Sequence, residues 1–102
     1  MKKQESKTLD SIIFSSPIRL LIMILLLKNN FVKIKDLSNL TNSTSGNLDH
    51  HIRQLEEANY IAKFPLREKM KLIYAVKLTT IGREKILSQI GNLKNIIGEL
   101  DL

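Results

Sequence analysis

Residues 43–61 read STSGNLDHHIRQLEEANYI, and this stretch decides the fold. Leu48, Ile52 and Leu55 recur at helical spacing and form one apolar stripe. Thr44 stands before the periodic segment as a predicted N-cap. Asn59 follows it, at the position where a helix end needs a left-handed residue. The sequence therefore predicts an amphipathic helix over residues 44–58.

The polar side of this predicted helix has an unusual composition. Lys and Glu would keep such a face solvated, but here the face carries side chains that make directional hydrogen bonds: Asn47, His50, Arg53 and Gln54. Asn and Gln can bind adenine through two hydrogen bonds, Arg can bind guanine in the same way, and His can donate or accept. These four residues are therefore candidates for reading base edges in DNA.

A merely solvated face is the alternative interpretation. Arg53 has Asp49 and Glu57 four residues away on either side, so surface ion pairs could occupy it. Residues 44–58 also hold three acidic residues and one Arg, and this net negative charge does not favour binding to a polyanion. His51 lies beside the apolar stripe, where we expect a packed, hydrogen-bonded side chain and not a metal ligand.

The whole chain has 102 residues, enough for one domain, with a net charge of +6 and a pI of about 9.7. That balance suits a polyanionic partner, either nucleic acid or an anionic membrane. Cysteine is absent, which excludes disulfides and zinc-thiolate sites and fits a cytoplasmic protein. The apolar run IRLLIMILLL at 18–27 is shorter than the roughly 20 residues that cross a bilayer. We expect a buried helix there, and no membrane partner.

The flanking segments give an order of helix, helix, short strand, helix, helix, hairpin, helix. Ser16 and Pro17 fit the N-cap and first turn of a helix that ends near Lys28. A short strand at 31–33 and a short helix through Ile34, Leu37 and Leu40 follow, and Asn42 suits the turn. Two strands, at about 60–66 and 71–78, form a hairpin. Thr79 or Thr80 caps the last helix. The fold class is mainly α with a small β-hairpin (α+β).

The hairpin concentrates positive charge. Residues 61–78 hold five Lys and Arg residues against one Glu, and Arg67, Lys69 and Lys71 cluster at the expected tip. Contact with DNA phosphates is the functional interpretation. The alternative is that these charges keep the exposed edge of the sheet from pairing with strands of other molecules. Further candidates for the DNA backbone are Lys33, Lys35, Thr44 and Ser45.

The last helix repeats apolar residues in steps of four and three: Ile86, Ile90, Leu93, Ile97 and Leu100. This is a heptad seam. Gly91 and Gly98 lie off the seam, and each weakens the helix by about 1 kcal/mol. Either the first helix of the same chain or a second subunit must cover the seam. We expect these five residues to form a homodimer interface.

Three motifs in order resemble winged helix-turn-helix transcriptional regulators of the MarR/ArsR-like group, especially small archaeal and bacterial members. SPIRLLIMILL is similar to the opening Pro-x-Arg helix of that group, and LSNLTNSTSGNLDHHIRQLEEANYI to its helix-turn-helix. KLTTIGREKIL resembles its Leu-Thr-x-x-Gly-Arg exit from the wing. The resemblance covers roughly residues 16–87. The chain departs from it at Asn42 and Asn59, where the group has Gly, and at Ser43, where it has an apolar residue.

The resemblance implies a DNA-binding dimer, with recognition helix 44–58 in the major groove and wing 61–78 on the backbone or in the minor groove. Residues 1–79 would form the DNA-binding domain and residues 80–102 the dimerisation helix. We expect a sequence-specific regulator of double-stranded DNA, acting as a repressor, with no cofactor and no metal; an effector is not predicted. No catalytic constellation is recognisable, so we do not expect an enzyme. The alternative is a winged-helix protein-interaction module without specific DNA binding.

Overall fold

The computed structural model describes residues 9–100, which form five helices and three strands. Helix α1 covers residues 9–14. It is followed by α2 (Pro17–Lys28), β1 (Val32–Lys33), α3 (Ile34–Leu40), α4 (Ser45–Glu57), β2 (Ile61–Glu68), β3 (Lys71–Leu78) and α5 (Thr80–Glu99). The predicted element order and the α+β fold class are confirmed. The outer ends of the two predicted domains, residues 1–8 and 101–102, lie outside the described residues.

The three strands form one antiparallel sheet in the order β1-β3-β2. Val32 pairs with Val76 and Ile61 pairs with Leu78. Val32, Val76 and Ile61 belong to the same buried cluster as the helical core residues, so this end of the sheet packs against the helices. The first strand of the hairpin starts one residue later and ends two residues later than the sequence predicted. Lys69 and Met70 close the hairpin with φ of 50° and 66°. Positive φ at both central residues defines a type I′ turn, which sequence analysis missed because that turn normally carries Asn-Gly.

The core lies between α2, α4 and the start of the sheet. On α4 the predicted stripe of Leu48, Ile52 and Leu55 is buried. On α2, Ile22 and Met23 are fully buried, and they belong to the same hydrophobic cluster as the α4 stripe. The apolar run at 18–27 is therefore a core helix. No helix within residues 9–100 is long and apolar enough to span a membrane.

Helices α3 and α4 end in the same way. Asn42 and Asn59 have φ of 53° and 64°. In each case the next backbone N–H reaches back to a carbonyl five residues earlier, from Ser43 to Ser38 at 3.1 Å and from Tyr60 to Leu55 at 3.0 Å. This is the Schellman arrangement, so Asn takes the left-handed position that the sequence assigned to it.

Hydrogen bonds accommodate Ser43, which is polar where the MarR/ArsR-like group has an apolar residue. Its hydroxyl lies 2.9 Å from the hydroxyl of Thr41, and its carbonyl accepts from the Ser38 hydroxyl at 2.9 Å. The turn between α3 and α4 is therefore held by polar contacts where a hydrophobic contact would otherwise serve.

The start of α5 is pressed against the end of α4. Thr79 caps α5 by accepting from the Gly82 N–H at 2.9 Å, and its own N–H donates to the Tyr60 carbonyl at 3.1 Å. A Cβ placed on Gly82 would lie 1.9 Å from the Tyr60 carbonyl oxygen. Only glycine permits this backbone approach, which sets the angle at which α5 leaves the wing.

Replacing Gly82 with Ala tests this junction. We expect Gly82→Ala to lower the free energy of unfolding by at least about 1–3 kcal/mol, because backbone atoms cannot yield as a side chain can. Gly91→Ala is the matched control. No atom lies within 4 Å of a Cβ there, so the change should raise stability by about 1 kcal/mol through helix propensity. Urea denaturation measures both, and effects of the same sign would contradict the proposed junction.

Candidate nucleic-acid interface

The outer face of α4 is fully accessible at its N-terminal half. Ser45, Gly46, Asn47 and His50 are all exposed, while Leu48 faces the core. The Thr44 hydroxyl accepts from the Asn47 N–H at 3.2 Å and fixes the first turn. An α-helix is narrow enough to enter a major groove. The outer face of the N-terminal half of α4 therefore presents hydrogen-bond donors and acceptors and no large apolar side chain.

Arg53, further along the same face, is engaged on the surface. It forms an ion pair with Asp49 at 2.6 Å, as the alternative interpretation of this face anticipated. Both side chains are more than half exposed, and an exposed pair at this spacing contributes only about 0.3–0.5 kcal/mol. Arg53 can therefore leave Asp49 at little cost if a stronger acceptor is offered.

The opposite flank of α4 is tied to α2. The Arg19 guanidinium lies 2.9 Å from Nδ1 of His51 and donates to the side-chain oxygen of Gln54. His51 is half-buried and hydrogen-bonded, as expected for its place beside the stripe. Gln54 is also half-buried. The sequence predicted that Gln54 contacts base edges, but its side-chain oxygen already accepts a hydrogen bond from Arg19.

The wing presents its cations on two different faces. In an antiparallel pair, directly opposed residues share a face, and the faces alternate along each strand. Arg67 pairs with Leu72, and Pro65 pairs with Tyr74, so Arg67 shares a face with Tyr74 and Lys63. Lys71 pairs with Glu68 on the other face. Arg67, Lys69 and Lys71 are all exposed.

An open groove joins the Arg67 face of the wing to α4. Its walls include Lys35 and Ser45 on the helical side and Lys63 and Tyr74 on the wing side. The Lys63 ammonium lies 5.3 Å from the centre of the Tyr74 ring. Lys63 is exposed beside α4, yet sequence analysis did not select it. Its period-two spacing from Arg67 was the signal that could have found it.

Comparison with known proteins identifies this architecture. A family model described as a winged helix DNA-binding domain matches residues 18–97. The chain belongs to the winged helix DNA-binding domain family.

Relatives of this winged-helix protein include a solved transcriptional regulator homologue from Pyrococcus horikoshii OT3. It is 32% identical, with a TM-score of 0.83, and the match covers 97% of this chain and 99% of that one. A Methanocaldococcus jannaschii protein described as uncharacterized is 34% identical over 73 residues, which is 70% of this chain and 77% of the relative.

More distant structures share the fold. One is described as a candidate MarR-family regulator from Enterococcus faecalis V583, 19% identical with a TM-score of 0.77, matching 97% of this chain and 91% of that one. Another is a homodimeric winged helix-turn-helix domain from Mycobacterium bovis, described as a candidate ArsR-family regulator. It is 12% identical with a TM-score of 0.69, and the match covers 93% and 85% of the two chains. The similarity of the winged-helix protein to these MarR- and ArsR-family structures is thus one of fold.

Lys33 of the winged-helix protein is not free. It forms an ion pair with Glu68. That hydrogen bond raises the pKa of Lys33 and lowers the pKa of Glu68. Lys33 was predicted to contact the DNA backbone, and it would have to give up this partner to do so. Lys35 lies on the groove and is exposed without an ion pair among residues 9–100.

The predicted seam of α5 divides into two parts. Ile86 is completely buried and belongs to the chain's own core, so its assignment to a dimer interface was wrong. Ile90 is half-buried against that core. Leu93, Ile97 and Leu100 are 37%, 54% and 61% exposed, and Ile96 beside them is 53% exposed. The apolar face available to a second subunit is therefore the C-terminal half of α5. On α1, Leu9 and Ile12 are also exposed.

Metal-ligating residues are scattered in this winged-helix protein. Within residues 9–100, no three His, Cys, Asp or Glu side chains stand close enough to hold an ion. His50 and His51 have ring centres 5.4 Å apart, but they differ in environment: His50 is exposed and His51 faces Arg19.

Proposed function

We propose that this protein is a homodimeric transcriptional regulator that binds specific sequences in double-stranded DNA. Recognition helix α4 would lie in the major groove, with Asn47 and His50 on base edges. The observation that carries the proposal is the exposure of these two side chains on the N-terminal half of α4, with a cationic wing face alongside. That half enters the groove in helix-turn-helix proteins. Binding over a promoter would make the protein a repressor.

The distribution of charge supports different roles for α4 and the wing in DNA binding. Helix α4 carries more acidic than basic residues, so it contributes hydrogen bonds and not general attraction. Arg67, Lys69 and Lys71 would contact phosphates, and Lys63 and Lys35 would do so along the groove. Thr44 and Ser45 would contact phosphate at the start of α4, where free N–H groups also point outward. Arg53 would exchange Asp49 for a base edge.

The relatives support a dimer. The Mycobacterium bovis domain is described as homodimeric, and here α5 exposes Leu93, Ile97 and Leu100 on one side. A second copy packed on this face would place the two recognition helices on one side of the duplex. In symmetric helix-turn-helix dimers, half-sites lie about 34 Å apart. We therefore propose a palindromic operator with half-sites about one turn apart.

A protein-interaction module is the competing function. The acidic residues Asp49, Glu56 and Glu57 favour it, because a basic protein partner could bind them. The cations along the wing and groove oppose it. Selecting bound sequences from random duplex DNA would distinguish the two, because an interaction module would enrich none.

Base contact is tested by single substitutions on α4. We expect Asn47→Ala and His50→Ala to weaken binding to the selected duplex by about 1–3 kcal/mol each and to leave binding to a scrambled duplex nearly unchanged. Both side chains are exposed, so folding should be intact. Asn95→Ala, the same chemical change on α5, is the control. Salt-matched titrations measure the effect. Equal losses on both duplexes would mean that these residues touch only the backbone.

Phosphate contact by the wing is tested through salt dependence. Replacing Arg67, Lys69 and Lys71 together with Ala should weaken binding to every duplex. It should also reduce the slope of log K against log salt by about 0.9 for each lost contact. Lys77→Ala is the control, because Lys77 pairs with Ala62 on the wing face opposite Arg67 and lies near Phe64. An unchanged slope in the triple variant would place the phosphate contacts elsewhere.

The dimer is tested on the exposed half of α5. Replacing Leu93 and Ile97 together with Glu should give a folded monomer. Both side chains are exposed in the single chain, so the fold should tolerate the change, whereas carboxylates in the apolar interface would disfavour association of two chains. Asn95→Glu, on the other side of α5, should leave the dimer intact. Sedimentation equilibrium at micromolar concentration measures the mass. A monomeric wild type at that concentration would disprove the homodimer.

A further inference from the structure

Arg19 is a buried cation whose hydrogen-bond acceptors within residues 9–100 are all neutral. It is only 7% exposed, and within residues 9–100 no Asp or Glu forms an ion pair with it. Neutral acceptors hold it instead. Burial lowers the pKa of Arg19, but a guanidinium stays protonated at neutral pH. A buried charge is stabilised only when its donors are satisfied, so the acceptors around Arg19 fix where this charge can sit.

These acceptors come from two different helices. Nε donates to the Ile13 carbonyl at 2.8 Å, and Nη2 donates to the Ile12 carbonyl at 2.7 Å, both at the end of α1. Nη1 contacts His51 at 2.9 Å and also donates to Gln54, both on α4. The last carbonyls of a helix have no partners within it and carry its negative dipole end. Arg19 thus joins the end of α1 to the recognition helix.

The contact with His51 fixes the protonation state of that imidazole. Arg can only donate, so Nδ1 of His51 must accept, which requires a neutral ring protonated at Nε2. A proton on Nδ1 would remove this hydrogen bond and place two cations 2.9 Å apart. From α2 the charged group facing His51 is Arg19, and from α4 it is His50; α1 contributes only carbonyls to Arg19. Burial, followed by the charges of Arg19 and His50, lowers the pKa of His51.

We propose that Arg19 is a positioning residue for the recognition helix: it holds α4 against α1 while His51 is neutral, and protonation of His51 releases the helix and weakens specific DNA binding. This inference rests on the proposed DNA-binding function.

The direction of the pH effect follows from linkage. His51 binds its proton more weakly in the folded protein than in the unfolded chain. The stabilisation from the neutral bridge is therefore complete above the unfolded pKa of about 6.5 and is lost as pH falls from there toward the lowered folded pKa. Specific binding depends on protonation of His51 in the folded protein, so it should decrease as pH falls through the lowered folded pKa, below about 6.5.

His51→Asn is the main test variant, because an Asn side-chain oxygen can accept from Arg19 near the position of Nδ1 and does not titrate. In salt-matched titrations on the selected duplex, we expect the wild-type dissociation constant to rise more than that of His51→Asn between pH 7.5 and pH 5.5, with an excess below about tenfold because one unit of pKa is tenfold and the folded pKa lies below the unfolded value. His50 is present in both proteins, so its contribution cancels. Arg19→Lys, which keeps the charge but loses the planar fork, should weaken specific binding already at pH 7.5.

Nitrogen-15 NMR tests the bridge without DNA. We expect the neutral His51 ring to carry its proton on Nε2, and acidification to shift the Asn47 backbone amide more in the wild type than in His51→Asn. A protonated Nδ1 at pH 7.5, or equal pH dependence of DNA binding in both proteins, would overturn the inference. If the wild type selects no duplex at any pH, the proposed function fails, and the amide shifts alone then decide whether the bridge exists.

Discussion

The burial of Leu48, Ile52 and Leu55 is the constraint on which the recognition surface depends. Each of these side chains is at most 2% exposed, and deleting one buried Leu or Ile side chain typically destabilises a domain by about 2–5 kcal/mol. A rotation of α4 by one residue would turn the helix by about 100° and expose this stripe. The core therefore fixes which side of α4 faces outward, and Asn47 and His50 are external because the stripe is internal.

Charge and hydrogen bonding are distributed over different elements of the domain. The cations lie on the wing and on α3, where long side chains can follow phosphates. The polar residues of α4 are short or planar and suited to directional bonds. Attraction to phosphates is independent of sequence and falls with salt, whereas base contacts discriminate between sequences. Under the proposed function, this separation on the chain predicts that affinity and specificity can be altered independently by mutation.

Local signals in the sequence were sufficient for the elements of the fold. The caps Ser16, Thr44 and Thr79 and the left-handed Asn42 and Asn59 depend only on near neighbours, so they could be predicted. Contacts between distant residues could not. Arg19 lies 32 residues from His51 and 35 from Gln54, and no periodicity links them, which is why Gln54 was assigned to base reading. Ile86 follows the heptad as well as Leu93 does, and only packing shows that one faces inward. The base and phosphate contacts themselves remain predictions.

The second half of α5 has little to stabilise it in a single chain. Ile86 is the last buried residue of the helix, and the residues after Ile90 extend beyond the core. Gly91 and Gly98 each cost about 1 kcal/mol relative to Ala, and isolated helices shorter than about 12–15 residues are marginal in water. Packing must then come from outside the core. Leu93, Ile96, Ile97 and Leu100 expose enough apolar surface to supply it, if a second copy covers them. Folding of this half and dimerisation would then be a single equilibrium, so α5 would be ordered to its end only at concentrations where the dimer forms.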